Sequence, residues 1–365
     1  MSIFKLLLVE DNDGDIKACR DTVARYKDEK EREVDLVECR DVKEALDKLD
    51  NSFDGAIIDL KLADKGDEGN YVSKKITELN FRIPIAILTG TPDAADTDFA
   101  YIGVFKKGEE NAGYTNILDK FWDIHDTGLT RIMGGRGEIE RALNQVFRKN
   151  LMPEIYRNRW TEYGRTDSAR TEKALLRHAL SHLFQLVNND GERCFPEEVY
   201  LVPPLTDQIH TGSIVKEKSS NQWFVVLNPA CDLVIREGGE CNTDRILIIE
   251  IDLQTSLFPN HPATGLSRSQ KNDLEKAFNN KKSAYYHWLP KTDFFNGGFL
   301  NFRKLTTMSK EEFNRKFEKP VVQISPFFTK DIIARFSAYY ARQGQPDIDF
   351  ERFISPLTTQ TENPE

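Results

Sequence analysis

The chain has 365 residues, 39% hydrophobic and 30% charged, with a net charge of −9. That is the composition of a globular protein of two or three domains; no apolar run approaches the roughly 20 residues that span a bilayer, and five widely spaced cysteines without a CxxC pair fit reduced thiols better than a disulfide framework. The acidity is uneven: residues 1–124 carry 18 Lys+Arg against 28 Asp+Glu, net −10, and the remainder 32 against 31, net +1, so the acidic part is a poor candidate for nucleic acid.

The N-terminus leads straight into IFKLLLVED without the pattern of a signal peptide, so a cytoplasmic protein with no membrane partner is expected. Ile3–Val9 reads as a strand buried on both faces. It ends at a cluster of acids, Glu10, Asp11, Asp13 and Asp15. A polar-faced helix comes next over Asp15–Lys30, then a short strand, VDLVEC, at 34–39. Asp41, with Glu44 three residues on, marks a helix start. GAIID (55–59) is a third strand ending on an acid. A Gly- and Asp-rich loop leads to a helix near Tyr71–Leu79. IPIAILTG (83–90) and YIGVF (101–105) are the fourth and fifth strands. PDAADTDFA between them leaves room for a helix of about two turns, and a helix over Glu109–Trp122 closes the series.

Strands alternating with helices imply a parallel sheet covered on both faces. In such sheets functional groups gather beyond the carboxyl ends of the strands. That rule selects Glu10 and Asp11 after the first strand, Asp59 after the third, Thr89 at the fourth, and Lys106 or Lys107 after the fifth. Carboxylates at one sheet edge repel one another and stay ionised most easily around a hard divalent cation such as Mg²⁺. Asp59, in the middle, could be a ligand, a nucleophile, or both. A lysine and a threonine hydroxyl nearby suit the oxygens of a phosphoryl group.

LLLVEDND, AIIDL, IAILTG and VFKKG, in that order, resemble the four motifs of the receiver domain of two-component response regulators, over about residues 1–124. The resemblance implies a flavodoxin-like fold with strand order 2-1-3-4-5. It implies phosphoryl transfer to Asp59 from a sensor histidine kinase or phosphotransfer protein. Glu10, Asp11, Asp59 and the backbone carbonyl of Lys61 would hold Mg²⁺, and Lys106 and Thr89 would serve the acyl phosphate, with Lys107 the alternative lysine. The chain departs from the family in its long Asp59–Gly69 loop, in the separation of only 17 positions from Thr89 to Lys106, and in having Gly103 or Val104 where an aromatic switch residue is usual.

From 125 the pattern turns helical. Helices are expected over Glu138–Lys149 and 171–187, forming a connector over 125–190. His178 and His182 stand one turn apart, a spacing that suits a metal, though a packed helix face is the plainer reading. Residues 131–177 hold 11 Lys+Arg against 6 Asp+Glu, and YRNRWTEYGR interleaves aromatics with arginines. That pattern fits nucleic acid or docking on the acidic domain, and the second is simpler. VYLVPPL, QWFVVLN and RILIIEIDL read as strands, and 268–288, 309–318 and 329–342 as helices. Residues 191–355 are therefore an α+β domain, with a disordered tail at 356–365. NPACD presents Cys231 and Asp232; His210 or His261 could serve Cys231 as a base, and Cys194, Cys231, Cys241 and His210 could form a zinc site.

The expectation is a response regulator with an atypical C-terminal output or partner-binding domain, in which a homodimer is admissible and nucleic acid is not favoured. A phosphate sink that drains its kinase, or an effector enzyme centred on Cys231, are the alternatives. No active site beyond the receiver's own phosphorylation chemistry is recognised.

Overall fold

The computed structural model describes residues 3–62, 66–157, 159–187, 193–236, 239, 241–262, 264–344, 347 and 351. The chain divides into two compact units, Met1–Gly191 and Glu192–Glu365.

The first unit opens as β1 (Phe4–Val9), α1 (Asp13–Lys30), β2 (Val34–Cys39), α2 (Val42–Lys48), β3 (Gly55–Ile58), α3 (Glu68–Glu78), β4 (Ile85–Thr89), β5 (Gly103–Lys106) and α4 (Tyr114–Asp126). All strand pairings are parallel, in the order β2-β1-β3-β4-β5, the flavodoxin-like arrangement. The strands read as continuous apolar runs because both faces are covered. Successive side chains alternate between faces. Leu6, Leu8, Ile57 and Leu88 pack with Ile16, Tyr26, Phe121 and Trp122 from α1 and α4. Leu7, Val9, Ile58 and Ile87 pack with Ala45, Val72 and Ile76 from α2 and α3.

Local chemistry sets the helix starts. Asn12 caps α1, its side chain accepting from the Gly14 and Asp15 amides at 2.8 and 3.1 Å, so the helix begins two residues earlier than Asp15. Asp41 accepts from the Glu44 amide at 2.7 Å and caps α2.

The two-turn helix expected between β4 and β5 is absent. The segment holds a single 3₁₀ turn, Pro92–Ala94. Asn70 on α3 fastens it, donating to the Ala94 carbonyl at 2.8 Å and accepting from the Asp96 amide at 3.1 Å. The expected closing helix begins later, at Tyr114, because a 3₁₀ turn, Glu110–Ala112, precedes it.

The unit continues through α5 (Leu129–Met133), α6 (Glu138–Val146), α7 (Trp160–Thr166) and α8 (Ser168–Val187). The end of the Glu138–Lys149 expectation differs: Phe147–Leu151 forms a π-helical turn.

The second unit is built on a seven-stranded antiparallel sheet. In chain order its elements are β6 (Tyr200–Leu201), β7 (Ser213–Lys216), β8 (Trp223–Val226), α9 (Ala230–Leu233), β9 (Arg245–Asp252), α10 (Gln254–Leu257), α11 (Arg268–Phe278), β10 (Tyr286–Leu289), β11 (Gly298–Ser309), α12 (Lys310–Lys316), β12 (Val322–Ile324) and α13 (Pro326–Ala341). The strand order is β10-β11-β9-β8-β7-β12-β6. Ile214, Val225, Ile249 and Ile251 face one core, covered by Ile332 of α13. Val215, Val226, Ile246 and Ile248 face the other, with Phe313 of α12. The helix expected over 268–288 ends at Phe278, and Tyr286–Leu289 is a strand instead. The tail at 356–365 and residues 63–65 of the Asp59–Gly69 loop lie outside the described residues. Among the described residues, no helix is long and apolar enough to cross a membrane.

Candidate functional site

β1 and β3 are neighbours in register, with Val9 paired to Ile58, so Glu10 and Asp59 leave the sheet side by side. Both are buried, at 1% and 6% exposure. Asp11 is exposed beside them. Carboxylate oxygens of Glu10, Asp11 and Asp59 lie within 4.8 Å of one another. The backbone of α3 comes close to the end of β3: the Gly69 amide donates to the Leu60 carbonyl at 3.0 Å, and a Cβ at Gly69 would collide with the Asp59 carbonyl. Glycine is therefore required where α3 meets the end of β3.

The lysine of the site is Lys107, one residue beyond the expected Lys106. Its ammonium donates to Glu10 Oε2 at 2.7 Å, Asp15 Oδ2 at 2.7 Å and Asp59 Oδ2 at 2.8 Å. Lys106 is exposed and is the last residue of β5, paired with Thr89. Strand alternation gives the reason. Phe105 points into the core shared with α1 and α4, so Lys106 falls on the opposite side, and only Lys107 turns over the strand ends. The buried phenylalanine in VFKK is the phase signal that sequence offers.

The acids of the first loop separate by role. Asp13 in the first turn of α1 pairs with Arg40 and is exposed. Asp15, part of the acid cluster but not among the expected site residues, supplies the third oxygen on Lys107. Burial pushes the Glu10 carboxyl above its ordinary range, against the pull of Lys107. Burial alone would lower the Lys107 ammonium; its hydrogen bonds to Asp15, Asp59 and Glu10 outweigh that and raise it. Lys107 is thus held charged.

The remaining expected residues sit close by in sequence and register. The Lys61 amide donates to Asp59 Oδ1 at 3.2 Å. Thr89 is fully buried at the end of β4, its hydroxyl accepting from the Thr91 amide at 3.3 Å and lying 3.5 Å from the Thr91 hydroxyl. The Thr89 carbonyl accepts from the Lys107 amide at 2.8 Å, tying β4 to the lysine.

The donor set suits a hard cation. Glu10, Asp11, Asp15 and Asp59 oppose one ammonium, an excess of three negative charges when all are ionised. Oxygen-only ligands of this kind are those of Mg²⁺.

The other expected sites are not assembled. Cys231 is exposed, with Asp232 its hydrogen-bond partner at 3.6 Å. His210 Nε2 meets Thr206 Oγ1 at 3.2 Å. Among the described residues, Cys194, Cys231, Cys241 and His210 form no metal-holding group, and Glu10, Asp11 and Asp59 form the one that does occur. His178 and His182 pack edge-to-face with ring centroids 4.7 Å apart, beside Trp160.

No family model and no curated protein matches the chain. Among solved structures, its first third is similar to response regulator receiver domains. A receiver protein from Pseudoalteromonas atlantica is 13% identical, covering 34% of this chain and 98% of its own, with a TM-score of 0.27. A CheY-like receiver domain from Methylobacillus flagellatus is 19% identical over 33% and 99%, TM-score 0.26. The receiver domain of NtrX from Brucella abortus is 16% identical over 32% and 98%, TM-score 0.26.

Proposed function

We propose that residues 1–124 are a receiver domain that takes a phosphoryl group on Asp59 and thereby controls the C-terminal unit, through the helical connector over 125–190. The observation that carries this reading is the Lys107 ammonium, held within 2.8 Å of Asp59 and Glu10 at the carboxyl ends of β1, β3 and β5. The donor would be the phosphohistidine of a kinase or phosphotransfer protein, met in the cytoplasm.

In the transfer, an Asp59 carboxylate oxygen forms a bond to phosphorus as the phosphorus–nitrogen bond of the phosphohistidine breaks. The electron pair of that bond stays on the imidazole. Glu10, Asp11, Asp59 and the Lys61 carbonyl would hold Mg²⁺, which when bound neutralises charge on the phosphoryl oxygens. Lys107, already charged and held by Asp15, stabilises the same oxygens from the other side by exchanging its hydrogen bond to Asp59 for one to the phosphoryl group. Thr89 offers its hydroxyl to the acyl phosphate by leaving Thr91. A pure phosphate sink leaves the C-terminal unit without a role, and an enzyme centred on Cys231 lacks an assembled base.

Incubation with a small phosphodonor and Mg²⁺, followed by intact mass, tests the proposal. One added phosphoryl group is expected, and none in Asp59→Asn. Uptake that persists in Asp59→Asn overturns it. Asp11 is exposed, so Asp11→Ala should melt as the parent does without metal. It should lose most of the rise in Tm that Mg²⁺ gives the parent, because a ligand stabilises only the state that binds it. An equal rise in both would remove Asp11 from the metal site.

A further inference from the structure

α7 and α8 are joined by one non-helical residue, Asp167, which caps α8 by accepting from the Arg170 amide at 3.0 Å. The elbow forms an open cleft of about 460 Å³ lined by Trp160, Tyr163, Asp167, Arg170, Ala174 and Arg177, with Thr166 and Thr171 between them. On α7, Trp160 and Tyr163 are three residues apart and share a face. Their rings meet at 87° with centroids 6.2 Å apart, forming an aromatic corner. His178 backs the indole at 5.9 Å, and Arg159 lies 5.5 Å over the Tyr163 ring. On α8, Arg170, Ala174 and Arg177 stand at i, i+4 and i+7, two cations with a small residue between them.

The arginines nearby differ in what they face. Arg159 is ion-paired to Glu162 at 2.8 Å, and Arg157 to Glu154 at 3.1 Å. Among the described residues, the guanidinium groups of Arg170 and Arg177 pair with no acid. The one acid lining the cleft, Asp167, already caps the start of α8, and the two guanidinium groups exceed it in charge.

We propose that this elbow binds a nucleotide, its base stacked in the Trp160–Tyr163 corner and its phosphate held by Arg170 and Arg177. Aromatic faces accept any base, and guanidinium forks match phosphate oxygens. The volume is that of a small-molecule pocket, holding one nucleotide and not a strand. The site lies outside the Asp59 cluster and does not depend on its chemistry.

Titration calorimetry of the full chain with AMP, GMP, CMP, UMP and their diphosphates tests it, with adenosine and an eight-residue oligoadenylate as comparisons. Saturable one-to-one binding of at least one nucleotide is expected, with adenosine weaker by about tenfold or more for want of a phosphate. Trp160→Ala should cost about tenfold, and Arg170→Ala with Arg177→Ala about a hundredfold. Ala174→Trp fills the cleft and should abolish binding; far-UV circular dichroism identifies the variants that keep the helices, and only these are compared. No saturation by any mononucleotide overturns the proposal, as does binding unchanged in the double arginine variant. Oligoadenylate binding that mononucleotides fail to displace would assign the elbow to a strand and overturn it too.

Discussion

Glu10 and Asp59 in the N-terminal unit and His287 in the C-terminal unit are each no more than 6% exposed, yet they are buried on different terms. The two carboxylates share a cation, Lys107, and keep further oxygens for the Asn12 and Lys61 amides. His287 has no hydrogen bond at Nδ1. Asp331 lies 3.6 Å from that nitrogen but is itself 60% exposed. Burial, helped by Arg335, pushes the His287 imidazole down to about 3, so it is neutral and is no ion-pair partner. A buried charge retained with its partner is poised for chemistry; a buried group stripped of its charge is packing that happens to titrate.

The sharpest way to break that contrast is to remove the cation. Lys107→Met should leave Glu10, Asp15 and Asp59 without their ammonium and cost about 3 kcal/mol of stability. It should also cut phosphoryl uptake by two or more orders of magnitude, as loss of an electrostatic stabiliser does. Lys106→Met, at an exposed position, should change stability by less than about 0.5 kcal/mol. Urea unfolding and phosphorylation rates of the pair check both. Equal behaviour of the two variants would mean that the Lys107 contacts carry no functional weight.

His287 sharpens the other side. Its folded value, about 3, lies below the ordinary histidine value of about 6.5. The unfolded chain therefore binds the extra proton between those limits. The stability it contributes is complete above pH 6.5 and is lost as pH falls toward 3. From pH 7 to pH 4 the parent should lose on the order of 2–4 kcal/mol more than His287→Leu, in which that titration is absent. Denaturant curves at the two pH values read the difference, which cancels the carboxylates common to both proteins. Parallel losses would show that His287 is not held neutral.

The same contrast explains how much of the fold and the site is legible in the sequence. The parallel sheet was legible because its strands are continuous apolar runs ending on acids, and covered strands must look that way. Glu10, Asp11, Asp59 and Thr89 came from the rule that sites form at strand ends. The choice between Lys106 and Lys107 was not legible without strand phase, since both lie at the strand's end and only Phe105 reveals which side each takes. Asp15 was hidden because an acid in a first helical turn already has a reason to be there. The C-terminal sheet was legible only as a class. β11 slips register against β9 between Leu300 and Leu305, and an irregular strand breaks the alternation by which strands are recognised. His287, an isolated histidine in YYHWLP, carried no signal of its burial at all.

The segment between β4 and β5 extends the comparison to polar side chains that serve neither chemistry nor titration. Where a helix was expected, Pro92–Ala94 makes one 3₁₀ turn, and Asn70 holds Ala94 and Asp96 through two hydrogen bonds. A helix would satisfy those backbone groups itself; without one, the side-chain amide of a neighbouring helix must do so. Asn70→Ala removes both bonds and leaves the Ala94 carbonyl and the Asp96 amide to water, at a cost of about 1–2 kcal/mol. The loss should be local. Amide exchange over 94–98 should quicken by about tenfold or more while the β1 and β3 amides stay protected, because the side chain touches the segment and not the sheet pairing. Exchange that quickens across the whole sheet would show instead that this short segment is part of the cooperative core.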